Sequence, residues 1–141
     1  MDPDAPRAVD LRDYVTFDVD APVGRRVFST DVLAVDLLCL EPRQVIAART
    51  FPTADAWYCV IGGRAWVVTH DAEVTLESLQ GVLVPAGVPH AVRNDSPDPL
   101  IVQVVTSPPD EAPAPPSGPV AVASESRRSS VVDRLRRGLG G

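Results

Sequence analysis

The feature that most limits how this chain can fold is a series of short runs rich in Val, Ile, Leu and aromatic residues, most of them followed within two residues by Pro or Asp. These apolar runs cover 14–19, 32–40, 56–70, 72–76, 81–94 and 98–107. No segment among them keeps the 3.6-residue period of an amphipathic helix. Short strands with turn signals at this spacing predict an all-β sandwich or barrel.

The domain organisation follows from length and from proline content. The 141 residues are enough for one ordinary domain. Six of the twelve residues from 108 to 119 are proline, which cannot donate to a strand ladder and favours an extended linker. The predicted organisation is an N-terminal arm at 1–10, a barrel at 11–108, a Pro-rich disordered linker at 109–128, and a short basic amphipathic peptide at 129–141.

The charge distribution separates the body of the chain from its end. Residues 1–116 carry 8 Arg and 17 Asp and Glu, whereas residues 117–141 carry 5 Arg and 2 acids. An acidic body repels phosphate backbones, so we expect no nucleic-acid binding by the barrel. The peptide 129–141, with apolar residues four apart and several arginines, is a candidate for docking as a short helix on a protein partner.

The expected location is the cytoplasm. The first residues, MDPDAPRAVD, lack the basic and apolar regions of a signal peptide. No stretch approaches the roughly 18 apolar residues of a membrane span, so we expect no membrane contact. In the cytoplasm Cys39 and Cys59 would be reduced thiols.

A motif near the end of the β-rich region narrows the fold further. Four residues stand at its fixed spacing: Pro85, Gly87, His90 and Asn94. The region 28–107 resembles the cupin superfamily, whose second conserved motif reads Gly, five residues, Pro-x-Gly, two residues, His, three residues, Asn. Only the opening glycine is missing here, since position 79 is Leu. The resemblance implies a cupin-type double-stranded β-helix, or jelly-roll barrel, with a small-molecule pocket and a homodimeric assembly.

The first motif of the same superfamily reads Gly, five residues, His-x-His, three or four residues, Glu, six residues, Gly, and it supplies most of the metal ligands. With Gly63 as its last residue, the first glycine, the two histidines and the Glu are replaced by Arg43, Arg49, Phe51 and Ala56. Catalytic metal sites keep about three protein ligands. We therefore expect no metal and no other cofactor. Asp55 and Cys59 lie an odd number of residues from position 56, so we expect both on the opposite strand face.

The remaining candidates for ligand binding are Arg49, Phe51, Ala56, Tyr58 and His90. Tyr58 shares the inward face with position 56, and Arg49 would offer a permanent bidentate cation to a carboxylate or phosphate. The leading hypothesis is a metal-independent protein that binds a small, anionic metabolite in a binding or regulatory role. In the opposing interpretation, Arg49 leans outward to pair with an acid and His90 is only held by hydrogen bonds.

Two further functions stay open at this point. The first is a metal-free cyclase, epimerase or isomerase, with His90 and Tyr58 as acid and base and Arg49 as anion clamp. The second is a structural or cargo-type protein docked through 129–141.

Overall fold

The computed structural model describes residues 5–109. Almost all of the predicted linker and the whole peptide 129–141 therefore lie outside the described residues. A 3₁₀ helix, Leu11–Tyr14, precedes the strands. The strands of the described part are β1 Val23–Ser29, β2 Ala34–Leu40, β3 Val45–Arg49, β4 Asp55–Gly62, β5 Ala65–Val68, β6 Glu73–Leu76, β7 Gly81–Val84, β8 His90–Arg93 and β9 Leu100–Ser107.

These strands form two antiparallel sheets. The first sheet has the order β1-β2-β9-β4-β7, and the second has the order β3-β8-β5-β6. The all-β jelly-roll barrel predicted from the sequence is confirmed. Strands that follow one another in sequence often belong to different sheets. For example, β7 lies in the first sheet and β8, which follows the turn at 85–89, lies in the second. Within residues 5–109, no helix is long and apolar enough to cross a membrane.

The core lies between the two sheets and follows the two-residue period of the strands. In β4, Ala56, Tyr58 and Val60 are fully buried, whereas Trp57 and Ile61 are exposed. Burying alternate side chains of each sheet removes a continuous apolar surface from water, which stabilises the fold. The buried cluster comprises Leu38, Leu40, Ile46, Phe51, Ala54, Ala56, Tyr58, Val60, Ala65, Val67, Leu76, Val84, Val92, Leu100, Val102 and Val104.

The strand prediction for 14–19 is wrong. This segment lies outside the sheets, and Val19 is 84% exposed. Asp10 caps the 3₁₀ helix through the backbone N–H of Arg12, and the carboxylate of Asp18 accepts a hydrogen bond from the N–H of Asp20. Such local side-chain to backbone bonds compete with a strand ladder.

Two strands were not predicted. β1, VGRRVFS, contains two adjacent arginines, and β3, VIAAR, is short and rich in alanine, so neither shows a clear apolar alternation. Both lie at the edge of a sheet, where one neighbour supplies the pairing. Tertiary pairing therefore decides their conformation, as it often does for strands.

The backbone supports the alignment of the two motifs. The described residues with positive φ are Arg43 at 75°, Leu79 at 69°, Gly63 at 91° and Gly87 at 84°. All four stand where the motifs place a glycine, although two of them are other residues here. A left-handed conformation favours glycine because it has no Cβ. The conformation that the motifs require is therefore kept at Arg43 and Leu79 although the glycines are gone.

Candidate functional site

His90 is held at one end of the barrel by the turn that precedes it. It is the first residue of β8 and is 1% exposed. The turn is fastened by the Gly87 N–H, which donates to the carbonyl of Phe51 at 2.8 Å. The ring Nδ1 of His90 lies 2.9 Å from the carbonyl oxygen of Val88. Since a carbonyl only accepts, Nδ1 carries the proton and Nε2 is left as an acceptor.

The partner of that Nε2 acceptor is the hydroxyl of Tyr58. Tyr58 lies in the middle of β4, is fully buried, and its hydroxyl oxygen is 2.6 Å from Nε2 of His90. The hydroxyl therefore donates to the histidine. The two rings meet edge to face with centroids 5.3 Å apart, an arrangement that aromatic pairs prefer.

Arg49 approaches the same hydroxyl from β3, where it is paired in register with His90. Its Nη2 donates to the Tyr58 hydroxyl at 3.1 Å, and its guanidinium lies 4.9 Å from the centroid of the Phe51 ring. Its Nε is buried and has no hydrogen-bond partner within residues 5–109. No acid of the described part forms an ion pair with it. Arg49 thus points inward, contrary to the interpretation in which it leans out to an acid.

Phe51 completes the cluster, and Ala56 leaves one side of it small. Phe51 is 3% exposed, and its ring meets the ring of His90 edge to face at 5.7 Å. Ala56, fully buried, directly precedes Trp57 on β4 and faces the same side as Tyr58. The structure therefore brings the five residues singled out from the sequence to one end of the barrel.

The protonation states follow from burial and charge. Burial lowers the pKa of His90; the hydrogen bond to Val88 opposes this effect, and the positive charge of Arg49 adds to it. Burial raises the pKa of Tyr58, against the influence of Arg49 and with a further contribution from Asp36. Near neutral pH both side chains are uncharged. Arg49 is then the charged member of the cluster.

These residues do not fit a metal ion. Arg49 would repel a cation, Phe51 and Ala56 offer no ligand atom, and both nitrogens of His90 are already hydrogen-bonded. Within residues 5–109, no group of three or more His, Cys, Asp or Glu side chains is arranged to hold one. The carboxylate of Asp55 accepts a hydrogen bond of 2.9 Å from the backbone N–H of Ala86, so it is engaged with the turn that precedes His90.

Several polar residues that the sequence did not single out lie on the inner face of the first sheet, among them Asp36, Thr106 and the part-buried Arg26. Asp36, 4% exposed, accepts two hydrogen bonds from Arg26, at 2.7 and 3.1 Å. Thr106, 1% exposed, has a buried hydroxyl without a partner in the described part. The signal for Asp36 was present, since it is a single acid inside the apolar run VLAVDLLCL. No comparable signal marks Thr106 or Arg26.

The second-motif residue Asn94 has a structural role. It is fully buried, and its side-chain amide donates to the carbonyl oxygens of Leu40 and Asp98, at 3.1 and 2.7 Å. Its side-chain oxygen accepts from the backbone and the hydroxyl of Ser96. These bonds satisfy backbone groups at the end of the barrel away from His90.

Comparison with known proteins identifies the architecture. No protein-family model matches the chain, and neither does any curated protein. Among solved structures, the protein TT1209 from Thermus thermophilus is 28% identical, with a TM-score of 0.69 over 72% of this chain and 97% of that one. A conserved Klebsiella pneumoniae protein with a double-stranded β-helix domain is 23% identical, with a TM-score of 0.71 over 81% and 100%. An RmlC-like cupin protein from Desulfovibrio desulfuricans is 20% identical, with a TM-score of 0.67 over 74% and 99%.

Proposed function

Because this chain has the cupin fold, the double-stranded β-helix of the superfamily that its second motif resembles, we propose that it binds a small anionic metabolite inside the barrel without a metal. The role is one of binding or regulation. The observation that carries the proposal is the guanidinium of Arg49, which points inward without an acidic partner in the described part. Its Nε is buried without a hydrogen-bond partner in the described part, and a buried donor left unpaired costs free energy that a bound acceptor would recover.

The free edge of Arg49 indicates the chemistry of the ligand. Its Nη2 bonds Tyr58 and its neighbouring Nε bonds nothing in the described part, so half of the Nε–Nη2 edge is unused. The donor left over is the Nε–H, and an oxygen of a carboxylate or phosphate is the acceptor that a guanidinium favours. Arg26 uses its own Nε–H in this way, to bond one carboxylate oxygen of Asp36 at 2.7 Å.

The neighbouring side chains suit the same ligand. Tyr58 and His90 are uncharged and orient the guanidinium without neutralising it. Phe51 packs against the guanidinium and helps to exclude water, which strengthens the attraction between opposite charges. The ligand must enter past Phe51 and the turn at 85–89, because Tyr58, His90 and Phe51 are all buried.

The test is a binding experiment on the full chain with a matched arginine control. Native mass spectrometry and elemental analysis of the purified protein identify any bound acid or metal, and thermal shift with small carboxylates and phosphates measures binding. Arg49→Gln is expected to lose the bound acid and the shift. Arg64→Gln, which removes an exposed arginine paired with Glu77, is expected to retain both. Stoichiometric transition metal, or equal binding by both variants, contradicts the proposal.

A second candidate function, a metal-free cyclase, epimerase or isomerase, has one observation in its favour. The hydrogen bond of 2.6 Å from Tyr58 to His90 links two groups that can exchange a proton. In this mechanism His90 and Tyr58 act as base and acid while Arg49 holds the substrate anion. Tyr58→Phe and His90→Gln should then abolish turnover of the acid found by mass spectrometry while it still binds. Full turnover in both variants contradicts this function.

The homodimer implied by the resemblance also has a candidate surface. Trp57 on β4 and Leu83 on β7 are directly opposite in register on the outer face of the first sheet, and they are 42% and 54% exposed. Pairs of exposed apolar side chains suit an interface between copies of one chain. Leu83→Ser is expected to convert a dimer to a monomer in light scattering after gel filtration. Val74→Ser, on β6 of the other sheet, is the control and should leave the mass unchanged.

A further inference from the structure

The inner face of the first sheet carries polar side chains toward the end of the barrel that holds His90 and apolar ones farther along. Direct pairing places Asp36, Val104 and Tyr58 in one row across β2, β9 and β4. All three therefore point to the same face of the first sheet, and Val104 and Tyr58 belong to the buried cluster. The row toward the other end contains Leu38 and Val102 and carries no polar side chain.

Thr106 lies in the row on the other side of Tyr58, toward the turn at 85–89. Its neighbours in register are Ala34 on β2 and Ala56 on β4. Both are fully buried, so the unpaired hydroxyl is flanked along its row only by methyl groups. A buried hydroxyl without a partner costs free energy in the protein without ligand, and a ligand group that bonds to it would recover that cost.

Asp36 provides the second polar contact near this hydroxyl. Each oxygen of its carboxylate accepts one hydrogen bond from Arg26, and a carboxylate oxygen can accept a second. Thr106 is diagonal to both Asp36 and Tyr58 in the sheet, which corresponds to roughly 7–8 Å between Cα atoms. Arg49 contacts the hydroxyl of Tyr58, so the unpaired polar groups of Thr106 and Arg49 are both on neighbours of Tyr58, at the same end of the barrel.

We infer that the ligand is a short bifunctional acid, with its acid group on the Nε–Nη2 edge of Arg49 and a hydroxyl at Thr106 and Asp36. The hydroxyl of the ligand accepts a hydrogen bond from the hydroxyl of Thr106 and donates one to a free lone pair of the Asp36 carboxylate. Each of these three groups then has a hydrogen-bond partner. This inference rests on the proposed function, because Arg49 must hold the acid group. The contact with Thr106 would determine which acids are preferred. An acid that lacks the ligand hydroxyl leaves the Thr106 hydroxyl unpaired and binds more weakly.

The experiment compares butyrate with β- and γ-hydroxybutyrate by isothermal titration of the full chain. We expect one of the hydroxy acids to bind about tenfold more tightly than butyrate, the value of one net hydrogen bond. Thr106→Val, which keeps the shape of the side chain, should remove this preference and leave butyrate binding unchanged. Thr106→Ser, which keeps the hydroxyl, should retain the preference. Without ligand, Thr106→Val should melt at a higher temperature, because it removes a buried polar atom that has no partner in the described part.

The outcomes separate this inference from the proposed function. If all three acids bind equally well, or Thr106→Val keeps the preference, the second contact is wrong while the role of Arg49 stands. If Arg49→Gln binds butyrate as well as the unaltered chain does, both are wrong. If none of the three acids binds, the inference of a short hydroxy acid is wrong, and the thermal shift with phosphates decides the role of Arg49. A Thr106→Val variant that melts at a lower temperature also contradicts the inference, since the hydroxyl would then have a partner within the fold.

Discussion

The hydroxyl of Tyr58 joins the two halves of the site, so its removal is the most direct test of the geometry. Tyr58→Phe keeps the ring and deletes one oxygen, which accepts from Arg49 and donates to His90. Two groups lose a partner: Nη2 of Arg49 and Nε2 of His90. A buried acceptor left unpaired costs about 1–3 kcal/mol, and a charged donor costs more. Because Arg49 is only half-buried, water recovers part of the second cost.

The expected loss is therefore about 2–4 kcal/mol in the free energy of unfolding. For a domain of this size, that corresponds to a fall of about 10–20 °C in melting temperature. Urea unfolding followed by tryptophan fluorescence measures this loss of stability, and the slope of the unfolding free energy against urea concentration is expected to be unchanged. The control is Tyr14→Phe, whose hydroxyl makes no hydrogen bond within residues 5–109 and whose ring lies 5.4 Å from the guanidinium of Arg25. A loss below about 1 kcal/mol for Tyr58→Phe, or one equal to the control, would refute the bridging role of the hydroxyl.

Three other measurements test the backbone and the protonation state. Leu79→Gly is expected to stabilise by about 0.5–1 kcal/mol in urea unfolding, because Leu79 has a φ of 69° and is 84% exposed; a lower midpoint would contradict this. Gly63→Ala is expected to lower the free energy of unfolding by more than about 2 kcal/mol, because Gly63 has a φ of 91° and an added Cβ would collide with the carbonyl oxygen of Pro99. The control is Gly62→Ala, whose Cβ meets nothing within 4 Å, and its loss should be far smaller in the same assay. Because burial lowers the pKa of His90, this side chain binds a proton more readily in the unfolded chain than in the folded one. The free energy of unfolding should therefore fall as the pH drops below about 6.5. The urea midpoint of His90→Gln should lack this part of the pH dependence.

Much of the fold was predictable from local sequence. The run at 32–40 contains β2, and the runs at 56–70 and 72–76 contain β4, β5 and β6, of which β5 and β6 pair antiparallel. These segments alternate or are continuously apolar, which is the pattern that a buried strand requires. The segment 14–19 alternates as well, yet it is not a strand, since alternation indicates a compatible face and not a partner.

The site was predictable where strand geometry determines the direction of a side chain. Placing Tyr58 on the same face as position 56, and Cys59 on the other, needs only the two-residue period. The left-handed backbone at Arg43 and Leu79 is consistent with the motif positions even where glycine is replaced. The direction of Arg49 was not predictable, because a long flexible side chain at a strand end can reach inward or outward.

By itself, the sequence determined the strand-forming segments, the turn before His90 and the loss of the usual metal ligands, because each of these depends on residue type and on spacing within a few positions. Only the tertiary structure decided which distant side chains meet. Tyr58 and His90 are 32 residues apart yet are hydrogen-bonded, and Asp36, Val104 and Tyr58 form one row from three strands. Such contacts depend on the order and register of strands within the two sheets, and no local pattern in the chain encodes that pairing.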